Sequence, residues 1–275
     1  MSVDLDFICA LQPERIDELR FRGMSPSLNT PTIYGGQLMA QVMHCAAQTL
    51  DSPRPVHYLQ ANFITSGDPT RPLDFEVRTL RDGKSTSNRQ VEVSQAGQTL
   101  MLAVLSFQIN SNGYSHQVSM PPVDQPETLL ADGDHEMQFS ADDDAPFPFY
   151  ILVCPPANHR REPCSSVWTK PRFGTIEDRL LQQMLFAFIS DASILQAALQ
   201  PHSLEWNEPG LAIATMNHSL WFHRPLNIND WLLMHSVSPS THDGRAFATA
   251  DTFSARGDLI ASIAQEGILR RRPSQ

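Results

Sequence analysis

Apolar positions along the chain repeat with two periods. From Tyr34 the run to Leu50 places Leu38, Val42, Cys45, Ala46 and Leu50 at helical spacing behind the pair Gly35-Gly36. This predicts a helix with much of its surface apolar. After the Ser52-Pro53 break come four strand-like segments, Val56–Ile64, Leu73–Leu80, Thr86–Gln95 and Thr99–Ile109, separated by Gly67-Asp68-Pro69, Asp82-Gly83 and Ala96-Gly97. Connections this short join antiparallel neighbours. The order then returns: a β-like Ser166–Thr169, a helix from about Glu177 to Leu199, and strands near Ala212–Phe222, Trp231–Ser238, Ala246–Phe253 and Leu259–Leu269.

Landmarks keep a nearly constant offset between the two runs. His57 and His218 are 161 positions apart, as are Gly83 and Gly244, while Gly97 and Gly257 are 160 apart. Strand, helix and four strands, twice, is the pattern of an internal duplication. Between Tyr114 and Pro163 the chain carries many prolines and the acidic run Asp142-Asp143-Asp144, a composition suited to a crossing segment. The expected organisation is therefore two units, 1–112 and 164–275, joined by a linker over 113–163. In the second helix Leu180, Leu181, Met184, Leu185, Phe186, Phe188, Ile189, Ala192, Ile194 and Leu195 cover most of the circumference, so that helix needs burial on nearly all sides. A long central helix wrapped by a curved antiparallel sheet, the hot-dog arrangement, meets that need. Two copies make an α+β double hot dog.

Charge and composition narrow the function. Among 275 residues, 20 Lys and Arg against 30 Asp and Glu leave a net charge of −10, the wrong sign for phosphate-driven binding of nucleic acid. No apolar stretch approaches the ~20 residues that span a bilayer, and the start, Met1-Ser2-Val3-Asp4, lacks the basic and then apolar character of a secretory signal. The expected location is the cytoplasm. Cys9, Cys45, Cys154 and Cys164 form no CxxC pattern and read as reduced, mostly buried thiols.

The chemistry centres on Asp191, a carboxylate inside an apolar helix, where it needs partners or a task. Thr215 and Gln265 interrupt two strands of the same half. A carboxylate, a hydroxyl and an amide brought to one point can orient a water and take its proton, with no metal, cofactor or covalent intermediate. Spacing alone does not show that they converge. Each also has an ordinary reading, as a local cap, a strand threonine and a strand-edge glutamine.

The chain resembles the type II acyl-CoA thioesterases, the bacterial thioesterase II group with its peroxisomal relatives, over about residues 15 to 269. The likeness is carried in order by Phe21-Arg22-Gly23, Tyr34-Gly35-Gly36-Gln37, Leu80-Arg81-Asp82-Gly83 with Ser85 and Arg89, Ser106-Phe107-Gln108, Ser190-Asp191, Leu199-Gln200-Pro201-His202, Ala214-Thr215, the run from Asn217 to Pro225, and Gln265-Glu266-Gly267. The resemblance implies a double hot dog and hydrolysis of fatty acyl-CoA. It also implies a water oriented by Asp191, Thr215 and Gln265, with Asp191 as general base. Two positions depart from the family pattern. Gln60 stands where a second histidine often follows His57, and Thr86 stands where an aromatic is common. Both bear on acyl preference and leave the trio intact.

Further residues join the candidate site. Free N–H groups at Gly35 and Gly36 could hold a thioester oxyanion or a phosphate, or the glycines could serve close helix–sheet packing. Gly36, Gln37 and His57 are candidates for contact with substrate, His57 having a core reading beside it. His218 and His223 suit structural hydrogen bonds. Arg81, Lys84 and Arg89 could meet the phosphates of coenzyme A or form a solvated cluster. Gly83-Lys84-Ser85 is no P-loop, since it lies in a hairpin. His135-Glu136 lacks the second histidine of a zincin, and no GxSxG elbow is present. His159 between Cys154 and Cys164 hints only weakly at a metal. The expected partners are acyl-CoA and further copies of the chain. A hot-dog enoyl-CoA hydratase and a non-catalytic acyl-CoA-binding protein are the alternatives.

Overall fold

Two strands from different halves meet at the middle of the molecule. The computed structural model describes residues 2–26, 28, 30–133, 135–136, 147–155, 162–206 and 208–271. The first half contains α1 (Ser2–Ala10), β1 (Glu14–Arg15), β2 (Arg20–Gly23), α2 (Gly35–Ala47), β3 (Val56–Phe63), β4 (Leu73–Asp82), β5 (Thr86–Gln95) and β6 (Gln98–Gln108). There follow α3 (Pro126–Asp132), β7 (Phe149–Val153), β8 (Cys164–Pro171), α4 (Arg179–Ser190), α5 (Gln196–Leu199), β9 (Leu211–Phe222), β10 (Leu232–His242), β11 (Arg245–Ser254) and β12 (Leu259–Arg271). All twelve strands form one sheet, ordered β1-β2-β4-β5-β6-β3-β9-β12-β11-β10-β8-β7, with antiparallel pairing throughout.

The order reads nearly the same from either end, and its centre is the β3–β9 pair. There Leu59 lies opposite Leu220. These residues are 161 positions apart, the offset of the sequence repeat, so an approximate two-fold axis passes through this pair. Alternation follows the pleat: Leu59 and Ala61 on β3, and Leu105 and Phe107 on β6, are buried on one face. On that face the core runs through both halves, with Met39 and Met43 of α2 and Leu185 and Phe188 of α4 among its members. A smaller cluster, including Leu129, Leu152, Trp168, Leu233 and Phe253, lies on the opposite face. Trp168 Nε1 donates to Asp124 O there at 2.9 Å.

The two long helices run antiparallel against each other. A Cβ placed on Gly36, in the first turn of α2, would lie 2.1 Å from Phe188 O near the end of α4. Gly36 thus serves close helix–helix contact, while a Cβ on Gly35 would meet Asp191 and Phe63 of β3, so the packing reading of the pair applies to helix and sheet alike. Tyr34 Oη seals the approach by donating to Phe188 O at 2.8 Å.

Three sequence expectations change. The single helix over 177–199 is two helices: α4 begins behind Asp178, whose carboxylate accepts from Leu181 N at 2.7 Å, and ends at Ser190 with Asp191 as its C-cap. Ala192 N bonds to Ile189 O, a tightened last turn that closes the helix without glycine or proline. The stretch 113–163 contains α3 and β7, the latter pairing with β8; Asp142-Asp143-Asp144 and His159 lie outside the described residues. Of the four free thiols, Cys45 and Cys154 are buried, Cys164 is half-buried and Cys9 is exposed.

Candidate active site

Asp191, Thr215 and Gln265 converge. Thr215 Oγ1 donates to Asp191 Oδ1 at 2.8 Å, and Gln265 Nε2 donates to Thr215 Oγ1 at 2.9 Å. Alternation along β9 would not bring this about, because Thr215 and His218, three residues apart, would point to opposite faces. A bulge supplies the correction. Asn217 pairs with Glu266 and Thr215 with Gly267, so Met216 is the extra residue, and the bulge turns Thr215 onto the face of His218. Opposite it, Gly267 has no room for a side chain, since a Cβ would lie 2.6 Å from Leu195 Cδ1.

Two more residues extend the cluster, and the sequence reading had given them no part in it. His218 Nδ1 lies 2.6 Å from Gln265 Oε1, and its Nε2 lies 3.1 Å from Ser190 Oγ, which is also 2.9 Å from Ala187 O. His218 is wholly buried. Burial lowers its pKa, while the charge of Asp191 and the bond to Gln265 act against that shift. The neutral ring carries its proton on Nδ1 and donates to Gln265. The directions form one chain: His218 to Gln265, Gln265 to Thr215, Thr215 to the Asp191 carboxylate. Turning the Gln265 amide round would make Thr215 donate to Gln265 and leave Asp191 Oδ1 facing a lone pair, so ionised Asp191 fixes the orientation.

The other carboxylate oxygen, Oδ2, faces the start of α2. A Cβ on Gly35 would lie 2.7 Å from it and 3.1 Å from Phe63. The N-cap Tyr34 makes no side-chain cap bond, so the first-turn N–H groups of α2 and its positive end point to this region. Burial and the neighbouring Asp191 charge push the Tyr34 phenol well above its usual range, which keeps it a neutral donor. Tyr34, Phe147 and Phe188 form a ring cluster alongside, with centroids 4.9–6.2 Å apart.

The remaining candidates lie elsewhere. Arg89 is 1% exposed. Its guanidinium is paired with Asp82 at 2.9 and 3.1 Å and bonded to Thr49 Oγ1 and O, which leaves nothing for a phosphate and overturns its assignment to substrate. Arg81 is exposed on β4, four strands from β9, roughly 19 Å at ~4.8 Å per strand. Gln37 is buried and spends its amide on Ser25 Oγ and Gln41 Oε1. His57 Nε2 bonds Ser106 Oγ at 2.8 Å. In β3 the bulge falls at His57 itself, between the pairs Val56–Phe107 and Tyr58–Ser106. The histidines that match in sequence therefore have unlike surroundings. His223 Nε2 bonds Ser262 Oγ at 2.9 Å. Among the described residues no group of three or more His, Cys, Asp or Glu could hold a metal ion.

Comparison with known proteins gives the family of the chain. The profile of the acyl-CoA thioesterase family matches residues 158–268, and that of the acyl-CoA thioesterase N-terminal domain matches residues 25–108. Acyl-CoA thioesterase 2 of Haemophilus influenzae is 33% identical, over 96% of this chain and 97% of its own. The crystal structure of an acyl-CoA thioesterase II from Mycobacterium marinum superposes with a TM-score of 0.81 at 27% identity, covering 100% of this chain and 99% of that one. A hot-dog-fold protein from Alicyclobacillus acidocaldarius, 18% identical, gives a TM-score of 0.80 over 98% of each chain and shares the fold. The chain belongs to the acyl-CoA thioesterase family.

Proposed function

We propose that this hot-dog protein hydrolyses fatty acyl-CoA to the free acid and coenzyme A at the Asp191–Thr215–Gln265 cluster. The observation that carries the reading is the directed hydrogen-bond chain ending on Asp191. It leaves the second N–H of Gln265 to hold the oxygen of a water, and Asp191 Oδ2 to take its proton. The water oxygen attacks the thioester carbon, the carbonyl oxygen gains charge beside the bare N–H groups of α2, and collapse expels the thiolate, which the protonated Asp191 can neutralise. Tyr34, Phe63, Phe147 and Phe188 offer an apolar wall for the acyl chain, at ~0.8 kcal/mol for each CH₂ buried.

His218 is a positioning residue in this scheme. Its Nδ1 is committed to Gln265 and its Nε2 faces Ser190 Oγ in a wholly buried position, so neither nitrogen is open to a substrate for the acid–base step of an enoyl-CoA hydratase. Residues 192–196 after Asp191 contain no histidine either. The approximate axis through Leu59 and Leu220 supports a division into two hot-dog units, 1–112 and 164–275. α2 and α4 act as their central helices. Self-association of this double hot dog through the outer face of its sheet is checked by sedimentation.

The test is thiol release from saturated acyl-CoAs of ~4 to 16 carbons by the parent chain and by Asp191→Asn. The expected result is chain-dependent release that falls ~10²–10⁴-fold in the variant, with fold and acyl-CoA binding retained. Parent-level turnover in Asp191→Asn would remove Asp191 as the base. Formation of 3-hydroxyacyl thioester from enoyl-CoA would move the chain to hydration, and tight binding without turnover would leave it a binding protein.

A further inference from the structure

The approximate two-fold axis gives the catalytic cluster a counterpart at the other end of the helix pair, where α4 begins and α2 ends. A cavity of about 270 Å³ opens there, lined by Val56, His57, Arg179, Gln183, Phe222 and Arg224 among others. A second cavity, shared with the end of α2, adjoins it through Arg179 and Gln183. In a chain of net charge −10, the first cavity is lined by two arginines and two histidines, His57 and His223, and by no carboxylate.

Two side chains there have hydrogen-bonding groups without partners among the described residues. Gln183 is 5% exposed. Its Nε2 donates to Val56 O at 2.7 Å, while its Oε1, buried, meets no donor, an arrangement that native interiors avoid unless something else supplies the bond. Arg179, the first residue of α4, makes no hydrogen bond or ion pair among the described residues. Arg224 donates from Nη1 to Leu259 O at 2.7 Å and from Nη2 to His116 O, and His57 and His223 are bonded to serines, so Arg179 is the cation without a partner among the described residues. Its chain neighbour Asp178, the N-cap of α4, lines the adjoining cavity and accepts from Leu181 N.

Water activation is missing at this end. Where Asp191 caps α4, Gln48 caps α2. Where Gly35 opens α2, Arg179 opens α4. Two residues beyond Leu105, the partner of Leu59, comes Phe107; two beyond Ile263, the partner of Leu220, comes Gln265. We propose that this cavity is a second, non-catalytic ligand site, taking a small oxyanion that also carries a hydrogen-bond donor, with the anion on Arg179 and the donor on Gln183 Oε1. Phosphate monoesters and hydroxy- or amido-carboxylates share this chemistry. Occupancy does not depend on hydrolysis at the other end, so the two readings fail separately.

Isothermal titration of the folded chain with glycerol 3-phosphate and, separately, with pantothenate tests the site and distinguishes its two ligand sources. The expected result is one-to-one saturable binding of at least one probe, weakened at least ten-fold by Arg179→Ala and by Gln183→Met and unchanged by Asp191→Asn. Arg179 is exposed, so its variant keeps the fold if the buried Gln183 variant does not. Saturation by neither probe, binding indifferent to Arg179→Ala, or binding lost in Asp191→Asn would overturn the proposal.

Discussion

The two ends of the α2–α4 pair are built on one plan and equipped for different work. At one end a glycine pair lets the start of α2 come against the last turn of α4, and the carboxylate of Asp191 is held at the junction by Thr215, Gln265 and His218. At the other end Arg179 and Leu180 stand where the glycines were, Gln48 replaces the carboxylate, and Phe107 fills the place of Gln265. A duplicated scaffold supplies two junctions for little sequence. On the proposed reading, the two junctions differ in three or four side chains and in the position of one bulged residue.

Deleting the carboxylate probes this contrast most strongly. Asp191→Asn is expected to cost ~10²–10⁴ in turnover, since an amide cannot accept the proton. Gln48→Ala at the opposite cap is exposed and is expected to leave turnover intact and stability within ~0.5 kcal/mol. Thiol-release rates and thermal melts of the two variants provide the comparison. Equal losses would mean that the two caps share the reaction.

The glycine pair comes next. Gly36→Ala puts a methyl 2.1 Å from Phe188 O, a main-chain atom that can yield only if α2 and α4 separate. Overpacking of this kind costs ~1–3 kcal/mol, and the separation also displaces Asp191, three residues further on. Denaturant melts should show the loss of stability, and kcat should fall with it. Leu180→Ala, at the second residue of α4, is half-buried and should lower stability alone. A Gly36→Ala variant with full turnover would show that close approach of the helices is not what sets the carboxylate.

Much of this contrast could be read from the sequence, and the part that could not has identifiable causes. The offset of 161 points to a repeat, and the same offset reappears as Leu59 against Leu220 at the sheet centre. The β5 segment Thr86–Gln95 was anticipated residue for residue because hairpin turns bound it at both ends. The end of α4 was hidden, because Ala192, Ile194 and Leu195 continue the apolar pattern past the break and no glycine or proline marks it. A bulge leaves no trace in composition, so alternation separates Thr215 from His218, and only the pairing of Thr215 with Gly267 reunites them. Gly267 is the one available signal, a glycine inside a strand. Arg89 misled because a basic residue near a hairpin reads as surface, whereas Thr49 and Asp82 draw it inside.

Within the active end, His218 is expected to act through Gln265. His218→Asn keeps an N–H donor near the Nδ1 position, and His218→Leu removes it. If the donor fixes the Gln265 amide, the leucine variant should lose about ten-fold in kcat, consistent with one hydrogen bond worth ~1.4 kcal/mol, with KM little changed. The asparagine variant should recover part of the loss. Equal kcat in both variants would reduce His218 to packing, and His57→Asn in the other half should leave kcat unchanged.

The smallest effect concerns acid stability. Burial lowers the pKa of His44, His57, His218, His223 and His235 below the usual 6.5. As pH falls through 6.5 the unfolded chain takes up protons that the folded chain refuses, so ΔG of unfolding decreases with falling pH until the folded pKa values are reached. Each such histidine contributes a limiting slope of ~1.4 kcal/mol per pH unit between its folded and unfolded pKa values. Denaturant melts between pH 7.5 and 5 on the parent and on His218→Asn measure its share directly. The variant should be less stable at pH 7.5 yet lose less on acidification, and the same comparison with His57→Asn should show a loss of the same sign. Parallel curves for parent and His218→Asn would mean that folded and unfolded chains bind the His218 proton equally, so that burial does not lower its pKa and the ring becomes a charged donor to Gln265 Oε1, beside Asp191, below pH 6.5.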